Sequence, residues 1–189
     1  MIIGILKEIQ NNESRVSATP ETIKKLIKSE HSVIIETGSG NNSFISDSNY
    51  KEAGAEIVDN SKEVYDKADI LFKVNPPNVE ELEKIKNDST LVSFFQIKDE
   101  IKNISQYIDK KLSILSMSHV PRTTLAQNMD ALSSQSNIAG YKAVLMGACH
   151  IEKYMSLLMT AAGTIPPAKV VVIGAGVAGL QAIATAKRL

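Results

Sequence analysis

Residues 169–189 read KVVVIGAGVAGLQAIATAKRL, and this stretch decides how the rest of the chain is interpreted. Residues 170–173 are β-branched and apolar, which predicts a strand buried on both faces. Gly174, Gly176 and Gly179 follow at the G-x-G-x-x-G spacing. Residues 180–189 are rich in alanine and favour a helix. The stretch therefore predicts a strand, a glycine turn and a helix.

Each glycine has its own physical role at such a turn. The first permits a tight turn, the second lets a pyrophosphate approach the backbone, and the third lets helix and strand pack closely. The free N–H groups and the positive dipole end of the helix attract phosphates. We therefore predict the first β-α unit of a Rossmann dinucleotide-binding domain. The alternative is a tight strand-to-helix turn that binds no ligand.

The composition is that of a globular protein without a dominant charge. Hydrophobic residues make up 43% of the 189 residues, so a core is expected and disorder is not. Lys plus Arg and Asp plus Glu both total 21, which gives no support for nucleic-acid binding. The single cysteine, Cys149, suits a reducing compartment. The N-terminus does not resemble a signal peptide, and no apolar run approaches the roughly 18 residues of a membrane span.

Strand and helix signals alternate over residues 1–120. Thr19 and Pro20 predict a helix start, and Asn78 with Glu81 resembles a capping box. The alternation predicts an α/β fold with a doubly wound parallel sheet. The predicted strands are residues 2–6, 33–35, 57–58, 70–74, 91–95 and 112–115, and a helix is predicted over residues 101–107.

Two cations near the predicted strand ends are candidates for binding an anion. Arg15 lies in the polar loop after the first strand, at the edge where open α/β sheets place ligands. A solvated arginine is the alternative. Lys73 lies inside the apolar strand 70–74, where a lysine must snorkel, pair or serve chemistry. The three histidines have no metal-ligand spacing, so no metal site is predicted.

Residues 122–137, RTTLAQNMDALSSQSN, carry a polar stripe at helical spacing. The stripe contains amides, hydroxyls and one carboxylate, whereas a solvated helix face usually prefers long charged residues. We predict a hydrogen-bonding surface that faces a ligand. A broken, exposed helix with a loop at residues 133–137 is the alternative. The stripe consists of Gln127, Asp130, Ser133, Ser134 and Asn137.

A long helix with a buried face is predicted next. Its apolar residues keep a 4-3-4-3 spacing from Val144 to Leu158, and we expect it to join two sheets. We place an N-terminal α/β domain at residues 1–125, connecting helices and a linker at 126–168, and the start of an incomplete Rossmann domain at 169–189.

Three stretches together resemble a known family. Residues 122–144, residues 159–189 and the KE…RVSATPE pattern of residues 7–21 look like the NAD(H)-binding alpha subunit of proton-translocating NAD(P) transhydrogenases. Alanine dehydrogenase is the soluble relative. The resemblance implies two α/β domains, a homodimer, and a cytoplasmic position peripheral to the inner membrane through a membrane-spanning partner. It also implies hydride transfer from NADH to NADP⁺ on a partner domain, coupled to proton translocation.

The resemblance also implies roles for individual residues. Those around the nicotinamide of NAD(H) would be Arg122, Gln127, Asp130 and Ser133. Those at the pyrophosphate would be Gly174, Gly176 and Gly179. Arg15 and Lys73 occupy positions that hold the keto-acid substrate in alanine dehydrogenase, so here they form a possible vestigial substrate site. No catalytic residue is assigned.

One departure favours transhydrogenase over alanine dehydrogenase. Alanine dehydrogenase has a catalytic histidine shortly after the strand equivalent to residues 91–95, where this chain has Gln96 and no histidine over residues 83–106. Oxidising an amino acid requires a group that accepts and returns protons, which glutamine cannot do. Direct hydride transfer between two nicotinamides requires positioning, for which amides, hydroxyls and a carboxylate are suited.

Three hypotheses therefore stand: a transhydrogenase NAD(H)-binding subunit, a soluble alanine-dehydrogenase-like enzyme, and a truncated oligomerisation or regulatory module. The third arises because a dinucleotide domain usually supplies an acidic residue to the ribose about 20 residues after the glycines. We expect this chain alone to bind NADH poorly and to be inactive.

Overall fold

A six-stranded parallel sheet organises residues 1–120. The computed structural model describes all of residues 1–189. The strand order is β3-β2-β1-β4-β5-β6, and every neighbouring pair is parallel. The strands are β1 (Ile2–Ile5), β2 (Ser32–Glu36), β3 (Glu56–Val58), β4 (Ile70–Phe72), β5 (Thr90–Ser93) and β6 (Ser113–Ser116). The predicted α/β fold with a doubly wound parallel sheet is confirmed.

Helices cover both faces of this sheet because its central strands are apolar on both faces. Ile3 and Ile5 belong to one core cluster, whereas Leu6 belongs to the other. The helices α1 and α2 contribute to the first cluster, and α3, α4 and α6 to the second. The helices are α1 (Pro20–Lys28), α2 (Asp47–Glu52), α3 (Ser61–Lys67), α4 (Val79–Lys84), α5 (Ile97–Glu100) and α6 (Ile104–Asp109).

Local capping explains where two of these helices begin. Thr19 accepts a hydrogen bond from the backbone N–H of Thr22, with Pro20 in the first turn, as predicted. Asn78 and Glu81 form the predicted capping box at the start of α4. The predicted helix over residues 101–107 is instead a short 3₁₀ turn, Ile101–Asn103, followed by α6.

The strand order determines where a ligand site can form. The central strand β1 has β2 on one side and β4 on the other, so the chain reverses direction across the sheet at β1 and β4. In open α/β sheets the crevice outside the carboxyl ends of such strands binds ligands. Lys73 follows directly after β4, which ends at Phe72, so the prediction that it lies inside the strand is wrong by one position.

Residues 121–189 form a second compact unit, because these residues mainly contact one another, as residues 1–120 do among themselves. The unit contains α7 (Ala131–His150), the antiparallel hairpin of β7 (Leu158–Thr160) and β8 (Gly163–Ile165), and α8 (Val177–Arg188). The three-part division with boundaries at residues 125 and 168 stays a prediction. No helix in the structure is long and apolar enough to cross a membrane.

The predicted long helix is wrong in its extent. The helix α7 ends at His150, where Ile151 takes an extended conformation, and only Gly140 is buried along it. Residues 158–160 instead pair with residues 163–165 across the turn at residues 161–162, and Gly163, the first residue of β8, has a φ of +139°. Leu158, the last residue that the apolar spacing assigned to the helix, pairs instead with Ile165 in this hairpin, and glycine readily adopts the positive φ at position 163.

The predicted buried strand at residues 170–173 does not form. No strand of the chain pairs with these residues, and Val171 and Ile173 are 86% and 98% exposed. A parallel strand depends on neighbours for its N–H and C=O bonds, so β-branched composition alone does not produce one. The helix predicted after the glycines forms as α8.

Candidate functional site

The glycine turn requires glycine at two positions for different reasons. Gly174 has a φ of +108°, a conformation that side-chain-bearing residues rarely adopt. A Cβ on Gly179 would overlap the carbonyl oxygen of Gly174 and lie 2.9 Å from its carbonyl carbon. The turn therefore folds back against the first turn of α8, as the roles of the first and third glycines predict.

Gly176 is different because its surroundings are open. It adopts a φ of −76°, and a Cβ built on it would meet no atom within 4 Å. Gly176 is also the N-cap of α8, and no side chain caps this helix. The first N–H groups of a helix have no intrahelical partner, so this uncapped end is suited to an anion.

A cleft of about 550 Å³ lies between the polar stripe and the start of α8. It gathers all five members of the stripe, and residues 133–137, for which a loop was the alternative, are part of α7. Val177, the first residue of α8, forms its other side. The lining residues are Gln127, Asp130, Ser133, Ser134, Asn137 and Val177.

Asp130 is the N-cap of α7 and is hydrogen-bonded to Ser133. The carboxylate of Asp130 accepts hydrogen bonds from the backbone N–H of Ser133 at 2.9 Å and from its hydroxyl at 2.6 Å. These bonds lower the pKa of the Asp130 carboxyl below its ordinary value, and the bond from the Ser133 hydroxyl has the largest effect. The positive charge of Arg122 lowers it further. The Ser133 oxygen and the remaining carboxylate lone pairs can still accept from a ligand amide.

The other predicted nicotinamide residues are more open. Gln127 lies on a 3₁₀ turn, Gln127–Met129, and its exposed side chain makes no hydrogen bond within the chain. Its amide can therefore both donate to and accept from a ligand. Arg122 is exposed and does not line the cleft. The structure thus brings Gln127, Asp130 and Ser133 together and leaves Arg122 outside.

A second polar cluster lies at the carboxyl ends of β1 and β4. The carboxylate of Glu13 accepts hydrogen bonds from the Arg15 guanidinium, at 2.8 Å from Nε and 2.6 Å from Nη2, and from the Arg15 backbone N–H at 2.9 Å. The Arg15 guanidinium also lies 5.8 Å from the centre of the Phe94 ring. Arg15 is therefore ion-paired rather than simply solvated. The bonds from Arg15 lower the pKa of the Glu13 carboxyl to about 2, and Glu13 raises the pKa of Arg15.

Lys73 is buried in the same cluster and is paired with acids. Its Nζ lies 2.7 Å from the carboxylate of Glu81 and 3.8 Å from that of Glu8. Glu8 also accepts from the backbone N–H of Val74 at 2.6 Å. Asn75 donates both to Glu8 and to Glu13, so one network of ion pairs and hydrogen bonds connects Lys73 to Arg15. The structure therefore brings the two predicted substrate-site cations together.

Each cation of this cluster already has a carboxylate partner from the chain itself. Burial and the nearby Glu81 carboxylate raise the pKa of the Tyr65 hydroxyl, so Tyr65 acts as a hydrogen-bond donor towards Glu81. No group of three or more His, Cys, Asp or Glu side chains is arranged to hold a metal ion. The arrangement is chemically an ion-pair network.

Comparison with known proteins assigns the family. Residues 4–139 match the family described as "Alanine dehydrogenase/PNT, N-terminal domain", and residues 143–189 match "Alanine dehydrogenase/PNT, C-terminal domain". The chain belongs to the alanine dehydrogenase/PNT family.

Members of this family differ in how similar they are to the chain. The NAD(P) transhydrogenase subunit alpha of Haemophilus influenzae is 44% identical over 189 residues, covering 100% of this chain and 36% of the relative. An alanine dehydrogenase of Methanococcus maripaludis is 34% identical over 185 residues, covering 96% and 49%. The crystal structure of a transhydrogenase from Sinorhizobium meliloti aligns with a TM-score of 0.95 at 40% identity, covering 100% and 54%. The chain spans about a third to a half of the relatives it matches.

Gln96 lies near the strand end at which the resemblance to alanine dehydrogenase implies a histidine. It directly precedes α5, just beyond the carboxyl end of β5, and its side chain does not cap that helix. The nearest histidine along the chain is His119, beyond β6, and its Nδ1 lies 2.9 Å from the hydroxyl of Ser116. No histidine therefore occupies the strand end at which the alanine dehydrogenase resemblance places one.

The sequence did not reveal that four residues belong to the ion-pair network: Glu8, Glu13, Asn75 and Glu81. Glu81 was recognised only as a capping residue, although its carboxylate also pairs with Lys73. The available signal was that Glu8 and Lys73 both follow apolar strands. Their proximity depends on β1 and β4 being neighbours, and the alternation of strands and helices does not specify that order.

Proposed function

We propose that this chain forms the NAD(H)-binding part of a proton-translocating NAD(P) transhydrogenase. In this role it binds NADH, whose hydride passes to NADP⁺ held on a partner. The observation that carries the proposal is the cleft in which the polar stripe meets the first residue of α8, directly after the glycine turn.

The residues of this cleft fit the two ends of a dinucleotide. The open space at Gly176 and the uncapped start of α8 suit the pyrophosphate. Gln127, Asp130 and Ser133 offer amide, carboxylate and hydroxyl groups that suit a carboxamide on the nicotinamide. NADH, when bound, supplies the hydride. The chain's own residues bind and orient it, because hydride transfer between two nicotinamides requires alignment rather than a proton-accepting side chain.

The partner assignments rest on the similarity to transhydrogenase alpha subunits. A separate membrane-spanning partner carries the proton, and an NADP(H)-binding domain accepts the hydride. We propose that the chain is cytoplasmic, is bound to the inner membrane through that partner, and forms a homodimer. Arg15 and Lys73 remain from a substrate site, and their pairing with Glu13 and Glu81 is consistent with a structural role in this branch.

Substitution of Gly176 by alanine tests the assignment of the pyrophosphate end. A φ of −76° and the open surroundings accommodate a methyl group, so we expect the thermal midpoint to fall only by the small cost of alanine at an N-cap. The methyl group would enter the proposed pyrophosphate space, and we expect the Kd for NADH to rise at least about tenfold. Gly147→Ala is the matched control because a Cβ there also meets no atom within 4 Å. An unchanged Kd in Gly176→Ala would contradict the assignment.

A second experiment compares two lengths of chain. NADH fluorescence is titrated with the 189-residue chain and with the same chain extended by the sequence that follows the matched region in the Haemophilus influenzae relative. We expect weak binding by the first and tight binding by the second, because an acidic residue for the ribose is expected beyond the glycine turn. Equally tight binding by both chains would contradict this expectation.

Two assays separate the proposal from the alanine dehydrogenase alternative and from a non-catalytic module. The extended chain, combined with the partner subunits of a transhydrogenase, is assayed for reduction of an NADP⁺ analogue by NADH. The same extended chain is assayed with alanine and NAD⁺. We expect activity only in the first assay, because Gln96 cannot accept a proton. Activity with alanine would favour the alternative, and activity in neither assay would favour a module without catalysis.

A further inference from the structure

The helices α7 and α8 cross in unusually close contact at Gly140. Gly140 is the one buried residue of α7, and a Cβ on it would overlap the carbonyl oxygen of Ala178. It would also lie 2.8 Å from the carbonyl carbon of Ala178 and 3.0 Å from its Cα. All three are backbone atoms of the first turn of α8, so no side-chain rotation can relieve the overlap.

A side-chain hydrogen bond fixes the same crossing one turn earlier on α7. The Nδ2 of Asn137 donates to Oε1 of Gln181 on α8 at 3.2 Å. Gln181 in turn donates to the hydroxyl of Thr185, which is buried and bonds back to the Gln181 carbonyl. The start of α8 is therefore held against α7 both by backbone contact and by a polar link.

This crossing connects the two ends of the proposed cleft. The polar stripe continues from the 3₁₀ turn onto α7, with Ser133 and Asn137 in the two helical turns that precede Gly140. The glycine turn leads directly into α8, and Ala178 is the second residue of that helix. A change in the approach of α8 to α7 at Gly140 therefore changes the distance from the stripe to the glycine turn.

We propose that Gly140 is a positioning residue that sets this distance and thereby the affinity for a whole dinucleotide. The inference rests on the proposed function of the cleft. A dinucleotide must reach both ends at once, so displacing α8 by about 1 Å weakens its binding while leaving each end intact. A ligand that uses only the glycine turn is insensitive to that displacement.

The test compares Gly140→Ala with Gly147→Ala. The two positions lie seven residues, or about two turns, apart on the same helix, so both substitutions have the same effect on helix propensity. A Cβ at position 147 meets no atom within 4 Å. In the 189-residue chain without ligand, amide hydrogen exchange is measured for the first turn of α8. We expect faster exchange there in Gly140→Ala and no change in Gly147→Ala.

Ligand titrations then separate positioning from general loss of structure. In the same chains, extended as above, we expect the Kd for NADH to rise at least about tenfold in Gly140→Ala and to stay within about twofold in Gly147→Ala. The Kd for ADP, which lacks the nicotinamide end, should stay within about twofold in both variants.

The outcomes are distinguishable. Unchanged exchange and unchanged NADH affinity in Gly140→Ala would overturn the inference. Equal losses of NADH and ADP affinity, with faster exchange throughout residues 121–189, would also overturn it, because they would indicate a general loss of structure. If the unsubstituted extended chain binds no NADH, the proposed function fails and the claim about affinity fails with it. The exchange measurement then still decides whether Gly140 positions α8.

Discussion

Lys73 is almost fully buried, and its charge is stabilised by two carboxylates, one of which also caps α4. Its side chain is 1% exposed and lies 2.7 Å from Glu81, whose other oxygen accepts from the backbone N–H of Asn78. Desolvating an ammonium group is costly, and the pairing offsets that cost only while both partners are present. The residue is therefore a structural element of the ion-pair network at the strand ends.

We expect Lys73→Met to lower the free energy of unfolding by about 3–5 kcal/mol, because it leaves Glu8 and Glu81 buried without their cation. Urea denaturation followed by circular dichroism measures the change. The double variant Lys73→Met with Glu81→Gln should recover part of the loss, since glutamine keeps the capping box without the charge. Lys67→Met is the control: Lys67 is 45% exposed and pairs with Glu56 in solvent, so its loss should have little effect on stability.

Glu13 gives the network a defined dependence on pH. Its folded pKa of about 2 lies below the ordinary 4.5, so it stabilises the fold above pH 4.5 and this contribution is lost as the pH falls towards 2. Its partner Arg15 is 41% exposed, so solvent screening reduces the contribution to about 1–2 kcal/mol. We expect Glu13→Gln to be less stable than the unsubstituted chain by that amount at pH 7.

The difference should disappear as the pH approaches 2, and denaturation at several pH values measures it. Glu21→Gln serves as the control, because the Glu21–Lys25 pair is exposed on α1 and its loss should have no measurable effect. A difference between Glu13→Gln and the unsubstituted chain that stays constant from pH 7 to pH 2 would contradict the assignment of the low pKa.

The sequence predicts helix starts well, because their caps depend on residues only three positions apart. Thr19 with Pro20 and Asn78 with Glu81 mark helix starts whose caps form within three residues. Residues 170–173 have equally clear strand composition, but a strand also requires a partner, and none of the chain's strands pairs with them. The apolar spacing from Val144 to Leu158 fitted a helix equally well, yet the helix ends at His150 and Leu158 pairs with Ile165 in a hairpin.

The candidate sites also divide into those that local spacing determines and those that strand order determines. The polar stripe and the glycines could be read from the sequence because spacing within one helix or one turn determines their geometry. The ion-pair network could not, because Glu8 and Lys73 are 65 positions apart and meet only through the strand order. The role of Gly140 was hidden too, since a glycine within a helix reveals a close approach only when the second helix is known.

The glycine turn is the element whose conformation most depends on one residue. Gly174→Ala would place a side chain at a φ of +108°, and we expect a cost of about 1–3 kcal/mol in the opening free energy of α8. Amide hydrogen exchange of α8 measures it. Gly176→Ala, at a φ of −76°, should raise exchange less, by the smaller cost of alanine at an N-cap. Equal exchange in both variants would show that the turn does not need a left-handed residue.

The exposed apolar segment at residues 170–173 makes the chain prone to self-association. Val171 and Ile173 are β-branched, lie two positions apart and are 86% and 98% exposed, so in an extended conformation they present one apolar face with unpaired backbone groups. Such a segment pairs readily with strands of other molecules. We therefore expect the chain to form species larger than the proposed dimer as its concentration rises.

Substitution of both residues by lysine should suppress those larger species, because charged side chains at an exposed edge oppose further pairing. Sedimentation velocity over a range of concentrations measures the size distribution. Phe44→Lys is the control: Phe44 is 99% exposed but lies alone after a 3₁₀ turn, so its removal should leave the distribution unchanged. If Phe44→Lys suppresses the larger species as strongly as the double lysine variant, the association depends on the total exposed apolar surface. The prediction for residues 170–173 is then wrong.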